Sequence, residues 1–226
     1  MPLQPKGPTL IPPIKKPSVQ VEVIRPFGPT IAKTKIPQSL VDSLNSHCDS
    51  WIKDKELRTS LNHGSTLAGN VTEELKISEE FLADGKLVKF LEDSVRHWIE
   101  SSIGKRIKKF ELMSAWIVRQ FQHEYNPVHT HSGHISGVGY LKVPNSFGDT
   151  YQKNKTSNKN GHIQFIHGNR MFLCNGTKTV LPKVGDFYLF PNYLYHTVYP
   201  FISNEERRSF SFNAYIDEGI YNVHGD

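Results

Sequence analysis

The chain has 226 residues, 37% of them hydrophobic and 11% aromatic, which is enough to bury a sizeable core and excludes a disordered or fibrous protein. No run approaches the roughly eighteen uninterrupted apolar residues of a membrane-spanning helix, so no membrane partner is expected. The net charge of +5 comes from scattered lysines with no nucleic-acid-binding motif beside them, so nucleic acid is not the expected partner.

Residues 1–19 are rich in proline and lack apolar periodicity, and read as an extended arm ahead of a single domain over residues 20–226. The arm lacks the apolar stretch of a signal peptide, and Cys48 and Cys174 have no second cysteine nearby. Two reduced thiols and a cytoplasmic location are therefore expected. Residues 21–24 are predicted to form a first short strand and residues 30–35 read as a candidate second. Pro37 opens a helix on which Leu40, Leu44, Trp51 and Ile52 recur at helical spacing up to Lys55. Residues 58–77, with Gly64, Gly69 and Asn70 and no period, read as a loop. Ser78-Glu79-Glu80 starts a second helix that turns Phe81, Leu87, Phe90, Leu91, Val95, Trp98 and Ile99 inward and stops at Gly104. The helices together occupy about residues 38–104.

From Phe110 the period changes to two. Seven strands are predicted, at 112–122, 135–143, 162–166, 179–181, 186–190, 197–199 and 207–216. Asn126-Pro127, Pro144-Asn145, Asn175-Gly176 and Pro182-Lys183-Val184-Gly185 separate them, and Asn175-Gly176 between Phe172-Leu173 and Val180-Leu181 is a hairpin signal. The predicted architecture is α+β and mainly β: a jelly roll over about residues 110–216, braced by helices on one face.

His129 and His131 lie two apart, so on an extended strand their imidazoles point the same way. Neutral imidazole is a common ligand of iron, zinc and copper. A lone His-x-His is a weak signal, because clustered histidines are often plain loop residues; His196, just past a second apolar strand, strengthens it as a third ligand. His134 competes with His131 for the second position, or serves behind the ligands or against a substrate. On the last strand Arg207, Ser209, Ser211 and Asn213 share one face. That face is either solvated or the wall of a polar cavity in which Arg207 forks onto a carboxylate and Ser209 adds a hydrogen bond.

The order His129-x-His131, Ser136-Gly137-Val138-Gly139-Tyr140-Leu141, Pro182-x-x-Gly185-x-x-x-x-Phe190-Pro191, His196-x-Val198 and Arg207-x-Ser209-x-Ser211-Phe212-Asn213 resembles the Fe(II)/2-oxoglutarate-dependent oxygenases. It is most similar to the small branch often found in tailed bacteriophages of marine bacteria; for a phage-encoded chain the expected location becomes the host cytoplasm. The resemblance implies a double-stranded β-helix binding Fe(II) and 2-oxoglutarate. It matches His129 and His196 to the two histidine ligands, His131 to the third ligand position, and Arg207 and Ser209 to the anchor of the far carboxylate of 2-oxoglutarate. Tyr140 matches a tyrosine that reaches the same carboxylate. The implied reaction is hydroxylation of a C–H bond by O2, coupled to oxidative decarboxylation of 2-oxoglutarate to succinate and CO2.

His131 departs from that pattern, which has Asp or Glu there, and neither Glu124 nor Asp149 is placed to substitute. Arg119, Gln120 and Gln122, with Trp116, are expected to border the substrate mouth. The prime substrate is a protein side chain, a free amino acid or other small molecule, or a nucleobase. Two other readings stay open: a three-histidine iron dioxygenase of the cupin type that needs no 2-oxoglutarate, and a jelly-roll binding or virion-associated module without catalysis.

Overall fold

In the computed structural model, residues 28–222 are described; the arm at 1–19 and the strand expected at 21–24 lie outside them. The chain then runs through β1 (Ala32–Lys35), α1 (Gln38–Trp51), α2 (Lys55–Leu61), a short 3-10 turn (Gly64–Thr66), β2 (Glu73–Lys76), α3 (Glu79–Ala83) and α4 (Lys86–Ile103). Strands β3 (Phe110–Gln120), β4 (Asn126–His129), β5 (Ile135–Lys142), β6 (Ile163–Ile166), β7 (Thr177–Val180), β8 (Asp186–Pro191), β9 (Tyr195–Val198) and β10 (Arg207–Ile216) follow, then α5 (Glu218–Tyr221). No helix among the described residues is long and apolar enough to cross a membrane.

Two antiparallel sheets face each other, one of six strands in the order β1-β8-β5-β10-β3-β2 and one of four in the order β4-β9-β6-β7. This is the predicted jelly roll. Strand alternation divides the large sheet's side chains between two cores. Phe210, Phe212, Ala214, Ala115, Ile117, Phe187 and Leu189 point outward and pack under Leu40, Leu44, Trp51, Leu87, Leu91, Val95 and Trp98 of α1 and α4. Val138, Tyr140, Tyr188 and Phe190 point inward and meet Ile163, Phe165 and Val198 of the small sheet. Gly137 admits the Phe212 ring, since a Cβ there would lie 2.6 Å from Phe212 Cε1.

Four sequence expectations are corrected. The second helix is two, because Gly85 adopts a left-handed φ of 73° between α3 and α4. Residues 58–77 are not a plain loop: they complete α2 and contain β2, which adds an edge to the large sheet by pairing with β3. β4 was not foreseen, since Pro127 at its second position obscures a four-residue strand. Finally, Asn175-Gly176 is not a hairpin tip. β6 pairs with β7 across residues 167–176, and the tight turn falls at Phe172-Leu173, inside the Met171–Cys174 bridge.

Candidate metal centre and its cavity

A cavity of about 280 Å³ opens between the two sheets, and His129, His131 and His196 line it. One nitrogen from each lies within 4.8 Å of the others. The fold delivers them from one strand pair and the turn that follows its first strand. β4 and β9 pair antiparallel with His129 directly opposite His196, which brings two ligand-type side chains together as cross-strand neighbours. His131 comes from the turn after β4, held where its backbone N–H donates to Asn192 O (2.9 Å). That turn closes through Gly133 at φ 82°, where any Cβ would press to 3.0 Å on Ala214 O.

Ring orientation is fixed as well. Nδ1 of His129 lies 2.7 Å from Pro127 O, and Nδ1 of His196 lies 2.9 Å from Leu194 O. A carbonyl can only accept, so each Nδ1 carries the proton and each Nε2 keeps its lone pair for the cavity. The Nε2 atoms of His131 and His196 are 3.1 Å apart. Burial pulls the His131 imidazole down to about 3, helped by its two histidine neighbours, and that of His196 to about 4. Burial also lowers His129. At neutral pH the cluster offers three uncharged nitrogen donors around one point, which suits a divalent transition metal.

Deeper in the cavity stands Arg207, 1% exposed, on the inward face of β10. Its Nη1 donates to Gln120 Oε1 (3.1 Å) and reaches Ser209 Oγ at 3.5 Å, whereas Nε and Nη2 are buried without a partner among the described residues. The Tyr140 ring lies under the guanidinium, 5.1 Å from its carbon, and the buried Tyr140 hydroxyl is also unpartnered. Burial lowers Arg207 from its ordinary value and pushes the Tyr140 phenol up to about 12, so the pair remains a cation and a neutral donor. Unpaired buried donors are costly and rare, and here they converge where an anion's oxygens would satisfy them. The residues therefore fit both a metal at the histidines and a carboxylate at Arg207.

Trp116, Val118, Val138, Ile163, Phe190 and Val198 supply apolar wall, and Ser211 and Asn213 add polar groups beside Ser209. Three residues expected near the site are not brought to it. His134 is buried elsewhere: its Nδ1 accepts from the Ile216 N–H (3.2 Å) and its ring stacks on Tyr221 at 3.9 Å. Arg119 faces the other side of the large sheet, bonded to Glu206 (2.7 Å) and to Glu73. Gln122 lies beyond the end of β3 and is absent from the lining, whereas Trp116 is in the wall and Gln120 supports Arg207. Sequence reasoning missed Glu74 of β2 and Asn126 of β4, both in the lining. The only trace of Glu74's strand was the alternation of Leu75 and Ile77 around Lys76.

Residues 114–213 match the family model described as "Putative 2OG-Fe(II) oxygenase". Among solved structures, a prolyl-4-hydroxylase from Pseudomonas putida is 18% identical with a TM-score of 0.51, covering 81% of this chain and 91% of its own. The viral collagen prolyl hydroxylase of Paramecium Bursaria Chlorella virus-1, solved with 2OG, is 14% identical with a TM-score of 0.52, covering 81% and 94%. HygX from Streptomyces hygroscopicus, solved with nickel, 2-oxoglutarate and hygromycin B, is 11% identical with a TM-score of 0.52, covering 80% and 81%. At these identities the likeness is one of fold. No curated protein matches the chain.

Proposed function

We propose that this chain, whose residues 114–213 match the 2OG-Fe(II) oxygenase model, is a hydroxylase whose iron is held by His129, His131 and His196. Arg207, with Ser209 and Tyr140, binds the far carboxylate of 2-oxoglutarate. The observation that carries this reading is the pair of unpartnered guanidinium nitrogens in the same cavity as three convergent imidazoles. A buried cation left unsatisfied calls for an anionic ligand, which 2-oxoglutarate supplies.

When bound, iron and 2-oxoglutarate together supply the activation of O2 that hydroxylates a C–H bond. The chain's residues do the rest. His129 and His196, oriented by Pro127 O and Leu194 O, present neutral nitrogens without rearrangement. Gln120 orients the Arg207 fork, leaving Nε and Nη2 for a bidentate carboxylate. The wall of Trp116, Val118, Val138 and Phe190 limits water, which strengthens that ion pair. His131 in place of a carboxylate contributes no negative charge, so the site favours anionic ligands more than a two-histidine, one-carboxylate site would. The unpaired Cys48 and Cys174 support a reducing, cytoplasmic setting.

The test is turnover of the Fe(II)-loaded protein with 2-oxoglutarate and O2. Succinate formation that needs iron and disappears in Arg207→Met supports the reading. Because His131 removes the usual carboxylate, a three-histidine dioxygenase is the second reading. Iron retention with no uptake of 2-oxoglutarate would select it.

A further inference from the structure

A carboxylate stands in the cavity that neither the metal nor the cosubstrate explains. Glu74, on the edge strand β2, is 2% exposed and lines the same cavity as the histidines and Arg207. Its position in the sheet is fixed by register: Glu74 lies opposite Val118, Val118 opposite Ser209, and Ser209 opposite Tyr140, one row across the inward face. Its neighbour Glu73 points the other way and is paired with Arg58 and Arg119. Glu74 has nothing comparable. Its Oε2 is buried with no hydrogen-bond partner among the described residues. No lysine or arginine among the described residues offsets its burial, which pushes the carboxyl up to about 7. The segment over it is cut to fit: a Cβ at Gly69 would come within 2.9 Å of Glu74 Oε1 and of Asn126 Nδ2. Thr66, Leu67 and Ala68 of that segment complete the wall on this side.

A buried carboxylate with no donor is costly unless something supplies one. Glu74 lies outside the group of side chains whose ligand atoms cluster around the metal point, and a dianionic cosubstrate would avoid it. We propose that Glu74 is a specificity-determining residue that receives a cationic nitrogen group, ammonium or guanidinium, carried by the prime substrate. This rests on the oxygenase reading for the word substrate, but not for the binding itself. The cation would hold Glu74 ionised and fix the distance from the basic group to the carbon presented at the metal. A basic side chain of a protein and a free amine share this chemistry.

The experiment is titration of the full chain, loaded with Fe(II) and 2-oxoglutarate without oxygen, with six probes. n-Butylammonium and n-butylguanidinium represent free cations, with n-butanol as the neutral control. Acetylated and amidated pentaglycine carrying a central Lys or Arg represents protein side chains, with central norleucine as the control. At least one cationic probe should bind about tenfold or more tighter than its neutral counterpart. Glu74→Gln, nearly isosteric, should erase that preference while iron content and 2-oxoglutarate affinity stay at wild-type values. A gain of the peptides over the free cations assigns the source to a protein side chain; the reverse assigns a small amine. Equal affinity of charged and neutral probes, a preference that survives in Glu74→Gln, or no binding of any probe overturns the proposal. Loss of iron in Glu74→Gln would also overturn it, by making Glu74 a ligand. Failure of the oxygenase reading is separable: 2-oxoglutarate would not bind the wild-type protein, yet the same probes on metal-free protein would still read the preference at Glu74. Glu74→Met serves as a second variant if Gln folds poorly.

Discussion

Arg207 and Arg208 are adjacent, both fully buried, and opposite in meaning. Strand alternation sends them to opposite faces of β10. Arg208 points to the helix side and is satisfied by Glu206 (2.8 and 3.0 Å), Asp49 (2.7 Å) and Asn45 Oδ1 (3.0 Å). Glu206 in turn bonds Arg119, which reaches Glu73, so this face carries a closed ion network tying α1, β10, β3 and β2. Arg207 points to the cavity and keeps two nitrogens without partners. A buried charge that the protein satisfies is architecture, and one that it leaves open is a receptor. Glu73 and Glu74 repeat the contrast on β2.

The largest effect expected from this contrast is on folding. Arg208→Met leaves Glu206 to Arg119 and Lys142 and unties α1 from β10, and should lower stability by about 3 kcal/mol, read by denaturant titration, with 2-oxoglutarate affinity per folded molecule retained. Arg207→Met should do the reverse: 2-oxoglutarate affinity falls roughly 100-fold or more while Tm changes little, since the bond lost to Gln120 is offset by removal of a buried charge with two unpartnered nitrogens. If Arg207→Met unfolds the protein and Arg208→Met abolishes binding, the assignment of the two faces is inverted.

Acid sharpens the comparison. Burial opposes ionisation of Glu206, but hydrogen bonds from Arg208 and Arg119 outweigh it and draw the carboxyl down to about 2. A lowered carboxyl stabilises the fold above its unfolded value and loses that contribution as pH falls. Up to about 3 kcal/mol should therefore drain between pH 4.5 and 2. Unfolding curves of the wild type should show that acid limb, and those of Arg208→Met a much shallower one. The smallest change is Tyr140→Phe, which removes one hydrogen bond to the cosubstrate carboxylate and should weaken 2-oxoglutarate about 5–10-fold, with iron content unchanged.

Much of this was readable from the chain. The ten residues of β10 are bounded as their alternation dictates; His129, His131, His196 and Arg207 line one cavity, a grouping that the family resemblance implied and that spacing alone left open for Arg207. Parity also held the correction to Arg119, which alternates with Trp116, Val118 and Gln120 and so cannot share their face. β2 and Glu74 were hidden because two consecutive glutamates look solvated until a neighbouring strand buries both. His134 was ambiguous because a turn has no period, and only the docking of α5 shows where its ring goes.

The most direct test of the central claim is calorimetric titration of 2-oxoglutarate into anaerobic, Fe(II)-loaded protein, beside a metal-free control. Tight binding that requires the metal is the predicted result. Full iron occupancy with no uptake of 2-oxoglutarate would contradict it.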